Sequence, residues 1–137
     1  MSRLSAAITM IANTLLLTSC APNQPIRVND GLVVGSWGGQ HIALALSDSG
    51  GTVEYDCAHG AIREPVRTQD GAFQAQGIHL RDHGGPVRID ELIDSVPALY
   101  IGHVDGNQMT LRVFAGADTL GPFELGRDQS PLLLRCL

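Results

Sequence analysis

Histidines and carboxylates recur at spacings that could bring several of them to one side of a β-sheet. The chain has five histidines, and His41, His59 and His83 lie in polar stretches near Glu54 and Asp56. If the segments on either side of a Ser-Gly-Gly turn pair as strands, His41, Glu54 and Asp56 share the polar face. Imidazole and carboxylate groups bind Zn²⁺, and imidazole also suits Cu²⁺. These residues are therefore candidates for a binding or metal site.

The spacing of these residues matches no established metal or catalytic motif. No HxH, HExxH or CxxC pattern occurs, and no G-x-S-x-G nucleophile motif is present. Glu54 and Asp56 would stand about 7 Å apart on one strand face, near the separation of paired carboxylates in glycoside hydrolysis. Nothing marks either of them for burial in an apolar site, which an acid catalyst needs. We therefore favour a non-catalytic protein without a cofactor, and keep a metal-binding or hydrolytic protein as the alternative.

The first twenty residues have the pattern of a secretory signal, with a basic start and an apolar run over 6–17. That run is too short to cross a bilayer, which needs about 20 apolar residues. Its end, Leu17-Thr18-Ser19-Cys20, resembles the bacterial lipobox, which implies cleavage before Cys20 and acylation of that residue. An ordinary signal peptide with a chance cysteine is the alternative. Ala21 resembles the pattern directed to the outer membrane of diderm bacteria.

These features divide the chain into three parts. Residues 1–19 are expected to be a lipoprotein signal peptide, 20–30 the lipidated cysteine and its tether, and 31–137 one domain. The expected location is the cell envelope, at the outer membrane and facing the periplasm, with the membrane as a partner through the anchor. Without Arg3, eight of the nine cations remain against fourteen acids, a net charge of −6. Such an acidic domain is not expected to bind nucleic acid.

Two cysteines remain once Cys20 is assigned to the anchor. Cys57 and Cys136 form an even pair in an oxidising compartment, which favours a disulfide. The bridge would close a loop of about 80 residues, worth roughly 4 to 5 kcal/mol in the chain-entropy model. It would also remove Cys57 as a nucleophile beside His59. Two buried free thiols are the alternative.

Alternation of apolar and polar residues dominates the domain and predicts strands. Ile42, Leu44 and Leu46 give one apolar face, and Val53 and Tyr55 continue the pattern after the turn. The segments predicted as strands are 31–37, 42–46, 52–57, 65–69, 72–80, 87–89, 96–105, 109–113, 120–125 and 132–136. Two of them, 65–69 and 72–80, are predicted to pair as a hairpin. One helical turn is predicted at 90–94. Short strands joined by tight turns favour an all-β fold, namely a small antiparallel up-and-down β-barrel of eight or nine strands, with a sandwich as the alternative.

Several motifs resemble those of a group of small exported bacterial proteins. They are Trp37-Gly38-Gly39-x-His41, Asp56-Cys57-Ala58-His59-Gly60, His83-Gly84-Gly85-Pro86 and Tyr100-x-Gly102-x-Val104-x-Gly106-x-x-Met109-x-Leu111. The resemblance covers about residues 31 to 137 and implies no established activity. The early Gly-x-Trp and the succession of hairpins are also similar to lipocalin-type barrels. We therefore expect a membrane-anchored envelope module that binds a small apolar ligand within the barrel or another envelope protein on its surface.

Overall fold

The computed structural model describes residues 30–82, 86, 89–90 and 94–136, and these residues form an all-β fold. The strands are β1 (Gly31–Leu32), β2 (Gly35–Gly39), β3 (Ile42–Leu46), β4 (Gly51–Tyr55), β5 (Ala58–Ile62), β6 (Arg67–Thr68), β7 (Ala72–Arg81), β8 (Ser95–Asp105), β9 (Gln108–Ala115) and β10 (Asp118–Arg127). Within this described part of the chain, no helix is long and apolar enough to cross a membrane.

Eight strands close into an antiparallel barrel in the order β10-β2-β3-β4-β5-β7-β8-β9. Each barrel strand pairs with the barrel strand that follows it in the chain, and β10 returns to pair with β2. This confirms the predicted up-and-down β-barrel, so the sandwich alternative is wrong. The remaining strands, β1 and β6, form a separate two-stranded sheet.

The β3–β4 hairpin shows how the alternating sequence produces the barrel. Ile42, Leu44 and Leu46 are buried, and Leu44 lies directly opposite Val53 on β4. Because successive side chains on a strand point to opposite faces, these residues enter the barrel interior while their neighbours face outwards. The hydrophobic pattern therefore fixes the register of this hairpin.

One end of the barrel, here called the base, is closed by the small sheet. Val33 and Val66 are buried there, and the backbone N–H of Val33 donates to the carbonyl oxygen of Val66 at 2.8 Å. Trp37 is buried in the core, with the Arg127 guanidinium 4.4 Å from its ring centroid. This is a cation–π contact. Trp37 is thus a core residue whose ring also contacts a cationic side chain.

The opposite end, here called the mouth, carries the β2–β3, β4–β5 and β9–β10 turns. Strands β2 to β5 have five residues each, whereas β7 to β10 have eight to eleven. β10 pairs with β2 only through Leu125, Gly126 and Arg127. The first part of β10 therefore rises beyond the short strands and leaves one side of the mouth open.

The C-terminal segment crosses the outside of the barrel and ends at the mouth. A Cβ atom on Gly38 would overlap the carbonyl oxygen of Gln129, so this glycine allows the segment to approach β2 closely. The segment is not the predicted strand 132–136, because only Leu132 forms a bridge, with Gln40. It is attached by the Cys57–Cys136 disulfide, whose Cα atoms are 5.4 Å apart. The predicted disulfide is confirmed.

The pairing of β6 and β7 differs from the predicted hairpin of 65–69 with 72–80. β6 pairs with β1, and β7 pairs with β5, a strand that the sequence pattern did not reveal. Only the isolated Gln69–Ala72 bridge remains of that hairpin. The predicted first strand, 31–37, is divided into β1 and β2, and β2 continues through Gly39.

Some predictions fall outside the described residues. They include the signal peptide at 1–19, the lipidated Cys20 with its tether through residue 29, His83, and most of the short strand at 87–89 and helical turn at 90–94. Ile89 and Asp90 are described and lie in a turn.

Candidate functional site

Two of the predicted site residues meet at the mouth. His41 lies in the β2–β3 turn and Asp56 follows β4, and the Nδ1 atom of His41 is 2.6 Å from Oδ2 of Asp56. The backbone of His41 has a φ of 68°, in the left-handed region that residues other than glycine seldom adopt. The close contact with Asp56 shows that the turn holds the imidazole in a defined position on the rim.

His59 and Glu54 do not join this pair, and His83 lies outside the described residues. His59 on β5 instead contacts Asp82, with 2.7 Å between Nδ1 and Oδ1. Glu54 is exposed and lies opposite His59 in the β4–β5 register. In the ranges that the structure describes, no three His, Cys, Asp or Glu side chains are grouped so as to hold a metal ion. The structure thus arranges these residues as separate histidine–carboxylate pairs.

A cleft of about 480 Å³ opens where the short strands expose the side of β10. Its walls come from both sides of the mouth and consist of His41, Tyr55, Asp56, Cys57, Ala58, His79, Arg81, Asp82, Leu120 and Phe123. The β9–β10 register shifts between Leu120 and Phe123. Because of this irregularity, residues an odd number of positions apart both reach the cleft.

Three aromatic rings follow one another along the cleft. The ring centroid of Tyr55 is 5.3 Å from that of His79 and 5.8 Å from that of Phe123, with interplanar angles of 58° and 40°. Such tilted contacts are favourable arrangements for aromatic pairs. Together with Leu120 and Ala58, the rings give the cleft a mainly apolar wall.

Polar atoms at the inner end of the cleft are enclosed without partners. The His79 side chain is only 6% exposed, and its Nδ1 atom has no hydrogen-bond partner in the described structure. The buried Tyr55 hydroxyl also lacks a hydrogen bond of good geometry among these residues, although it lies close to the Tyr100 hydroxyl. In contrast, the Tyr100 hydroxyl donates to the carbonyl oxygen of Ile78 at 2.8 Å. An unpaired buried polar group costs about 1–3 kcal/mol, so a ligand atom that pairs with one gains affinity.

Burial also determines the protonation states of the titratable side chains at and below the inner end of the cleft. It lowers the pKa of His79, and the nearby Arg81 guanidinium lowers this pKa further. Burial raises the pKa of the Tyr55 hydroxyl far above its usual range and also raises that of Tyr100. At neutral pH the His79 imidazole and the Tyr55 phenol of the cleft lining are therefore both neutral, as is Tyr100 in the core below.

The lowered pKa of His79 predicts acid sensitivity of the fold. An unfolded imidazole titrates near 6.5, so below about pH 7 the unfolded chain binds more protons than the folded one at this site. Stability should fall with decreasing pH by up to about 1.4 kcal/mol per unit, until the pH passes the folded-state pKa. The His79→Phe variant should lose this part of the pH dependence of stability. The His103→Phe variant, changed at an exposed site on β8, should retain it.

Denaturant unfolding between pH 5 and 8 measures this difference, and NMR titration of the imidazole C–H signals measures the pKa of His79 directly. An unchanged pH dependence in His79→Phe, or a His79 midpoint above 6.5, would contradict the prediction.

Sequence reasoning did not identify Tyr55, His79, Leu120 and Phe123 as site residues, although they form the aromatic wall and much of the apolar surface of the cleft. The alternation along β7 contained a signal for His79. Ala75, Gly77 and His79 are spaced two positions apart and therefore share the inward face of the strand. For Leu120 and Phe123 no such signal exists, since the irregularity in β10 breaks the alternation between them.

The chain was also compared with known proteins. No protein-family model, curated protein or solved structure matches it. Its function is therefore argued from the geometry of the cleft and from the sequence features of its amino-terminal segment.

Proposed function

We propose that this protein is a lipid-anchored, non-catalytic binding module of the bacterial cell envelope that takes up a small apolar molecule in its mouth cleft. The observation that carries the proposal is the apolar cleft between the short strands and β10, with unpaired polar atoms at its inner end. Its volume of about 480 Å³ lies within the roughly 300–1,000 Å³ typical of small-molecule sites.

The filled interior below the cleft limits where a ligand can bind. Trp37, Tyr100 and Leu111 are fully buried and occupy the space towards the base. Barrels of eight strands have an interior that side chains can fill. The ligand therefore binds at the mouth, where the wall is incomplete, rather than deep inside the barrel.

Two features support the envelope location. The Leu-Thr-Ser-Cys sequence ending at Cys20 supports acylation, and the Cys57–Cys136 disulfide fits an oxidising compartment. Acylation places the domain at a membrane surface, and Ala21 favours the outer membrane facing the periplasm.

The proposed cleft can be tested with the neutral, apolar dye Nile red. We expect the dye to bind the full chain carrying Cys20→Ser, a change that removes the acylation site and the need for detergent. Leu120→Asp should weaken binding at least tenfold, because it introduces a charge into the apolar wall. The matched control is Ile101→Asp, on the outer face of β8, where the side chain is 38% exposed; it should leave the affinity unchanged.

Fluorescence titration gives the dissociation constants, and near-ultraviolet circular dichroism checks that both variants are folded. Native mass spectrometry of gently extracted protein shows whether a small molecule co-purifies. Loss of binding in Ile101→Asp with retention in Leu120→Asp would place the dye on the outer face and contradict the proposal, as would the absence of binding in every form.

A further inference from the structure

The charged side chains of the cleft disfavour an anionic ligand. Asp56 and Asp82 lie in its lining, and the one guanidinium there, that of Arg81, already forms an ion pair with Asp118. The carboxylates therefore outnumber the cations available to a ligand. A carboxylate or phosphate entering this space would be desolvated and would face charges of its own sign.

The aromatic wall favours a flat ring. The rings of Phe123, Tyr55 and His79 follow one another with successive centroids less than 6 Å apart. A planar ligand can stack against, or pack edge-on to, several of these rings at once, and such contacts add to the gain from apolar burial.

The inner end of the cleft selects for one polar group on the ligand. His79 is more than nine-tenths buried, and its Nδ1 atom has no partner in the described part of the chain. The Tyr55 hydroxyl, whose ring lies beside that of His79, has no hydrogen bond of good geometry there, although the Tyr100 hydroxyl lies close to it. A neutral imidazole and a phenol can together donate to, or accept from, a single hydroxyl or carbonyl group.

We infer that the cleft takes an uncharged ring compound carrying one hydroxyl or carbonyl group. The ring lies against Phe123 and Tyr55, and the polar group points inward to the Tyr55 hydroxyl and the His79 imidazole. This inference rests on the proposed binding function and specifies the class of ligand for it. Because both polar atoms are enclosed in the structure, this binding mode requires side-chain rotations of Tyr55 and His79 that turn them towards the ligand.

Three probes of matched shape test the inference: naphthalene, 2-naphthol and 2-naphthoate. Calorimetric titration of the full chain carrying Cys20→Ser should give an affinity for 2-naphthol about tenfold above that for naphthalene, the gain expected from one or two hydrogen bonds. The affinity for 2-naphthoate should be at least tenfold below that for 2-naphthol.

Variants assign the preference to the two polar groups. Tyr55→Phe keeps the ring but removes the hydroxyl, so it should reduce the preference for 2-naphthol over naphthalene to threefold or less. His79→Phe should act in the same direction, and Tyr55→Phe alone suffices if that variant does not fold. Ile101→Asp is the control, with all three affinities unchanged.

The outcomes separate this inference from the proposed function. Equal affinity for naphthalene and 2-naphthol, or tightest binding of 2-naphthoate, would overturn the ligand class, while Leu120-dependent binding of Nile red would still support an apolar binding cleft. A preference for 2-naphthol that persists in Tyr55→Phe and His79→Phe would also overturn it. Absence of binding by all three probes and by the dye would overturn both.

Discussion

Replacing Cys57 and Cys136 together by serine is expected to lower the free energy of unfolding by about 4 kcal/mol. The two residues are 79 positions apart, so the disulfide constrains most of the domain in the unfolded state. The loss is large beside the 5–15 kcal/mol that usually stabilises a domain. It should be measured by urea unfolding in a Cys20→Ser background, which prevents exchange with a third thiol.

Local contacts should persist in part when the disulfide is absent. The His41 backbone N–H donates to the carbonyl oxygen of Leu132, and the Leu134 N–H donates to Asp56. These bonds hold the C-terminal segment at the rim independently of the sulfurs. We therefore expect the double-serine chain to remain folded near 25 °C but to be cleaved faster by protease between Ser130 and Cys136 than the oxidised chain.

The control for this prediction is the oxidised chain treated with reductant, which should lose the same stability without a change of sequence. A loss below about 1 kcal/mol in both preparations would contradict the prediction, because it would mean that the bridge hardly restricts the unfolded chain.

Cys20→Ser should move the protein completely from the membrane fraction to the soluble fraction of the envelope. Each buried CH₂ group of an acyl chain contributes about 0.8 kcal/mol, and a single chain anchors only marginally, so stable attachment would require the multiple acylation that the lipobox resemblance implies. Fractionation of a diderm host, with intact-mass measurement of the acyl groups, tests this expectation. A chain lacking only Cys57 and Cys136 is the matched control and should remain in the membrane fraction.

Either of two results would contradict the anchor. One is a Cys20→Ser chain that stays with the membrane through an acyl chain, and the other is an original chain whose mass shows no acyl groups. A chain found unprocessed in the cytosol would also contradict the export of the domain.

The sequence predicted those parts of the fold in which neighbouring strands carry strong alternation. Ile42, Leu44 and Leu46 define the buried face of β3 without further information, and the Asp105-Gly106-Asn107 turn marks the β8–β9 hairpin, where Gly106 has a φ of +59°. In both cases the contacts that specify the structure are local, so a pattern over a few residues contains them.

Strands specified by distant partners were not predictable in this way. On β5 the inward residues Ala58, Gly60 and Ile62 form a weak hydrophobic pattern, because a Cβ on Gly60 would collide with the Tyr100 hydroxyl from β8. The pairing of β6 with β1 joins residues about 35 positions apart, with Leu32 opposite Arg67. A local pattern cannot identify such neighbours.

The candidate site, like the fold, was predictable from the sequence only in part. His41, Asp56 and His59 could be chosen from residue type, and the disulfide from cysteine number, but the grouping of His41 with Asp56 and of His59 with Asp82 depends on turn geometry. The cleft itself arises from unequal strand lengths and from the register shift in β10, and neither is encoded in a short motif.

The position of the base has a consequence for how an anchored barrel would meet its ligand. The chain enters the fold there, since Asp30 accepts a hydrogen bond from the Gly71 backbone, and the ten chain steps from Cys20 to Asp30 span at most about 35 Å. A chain acylated at Cys20 would be tethered at its closed end, which leaves the opening free to face away from the lipid. The ligand would then bind from, and be released to, the aqueous space without first dissolving in the bilayer.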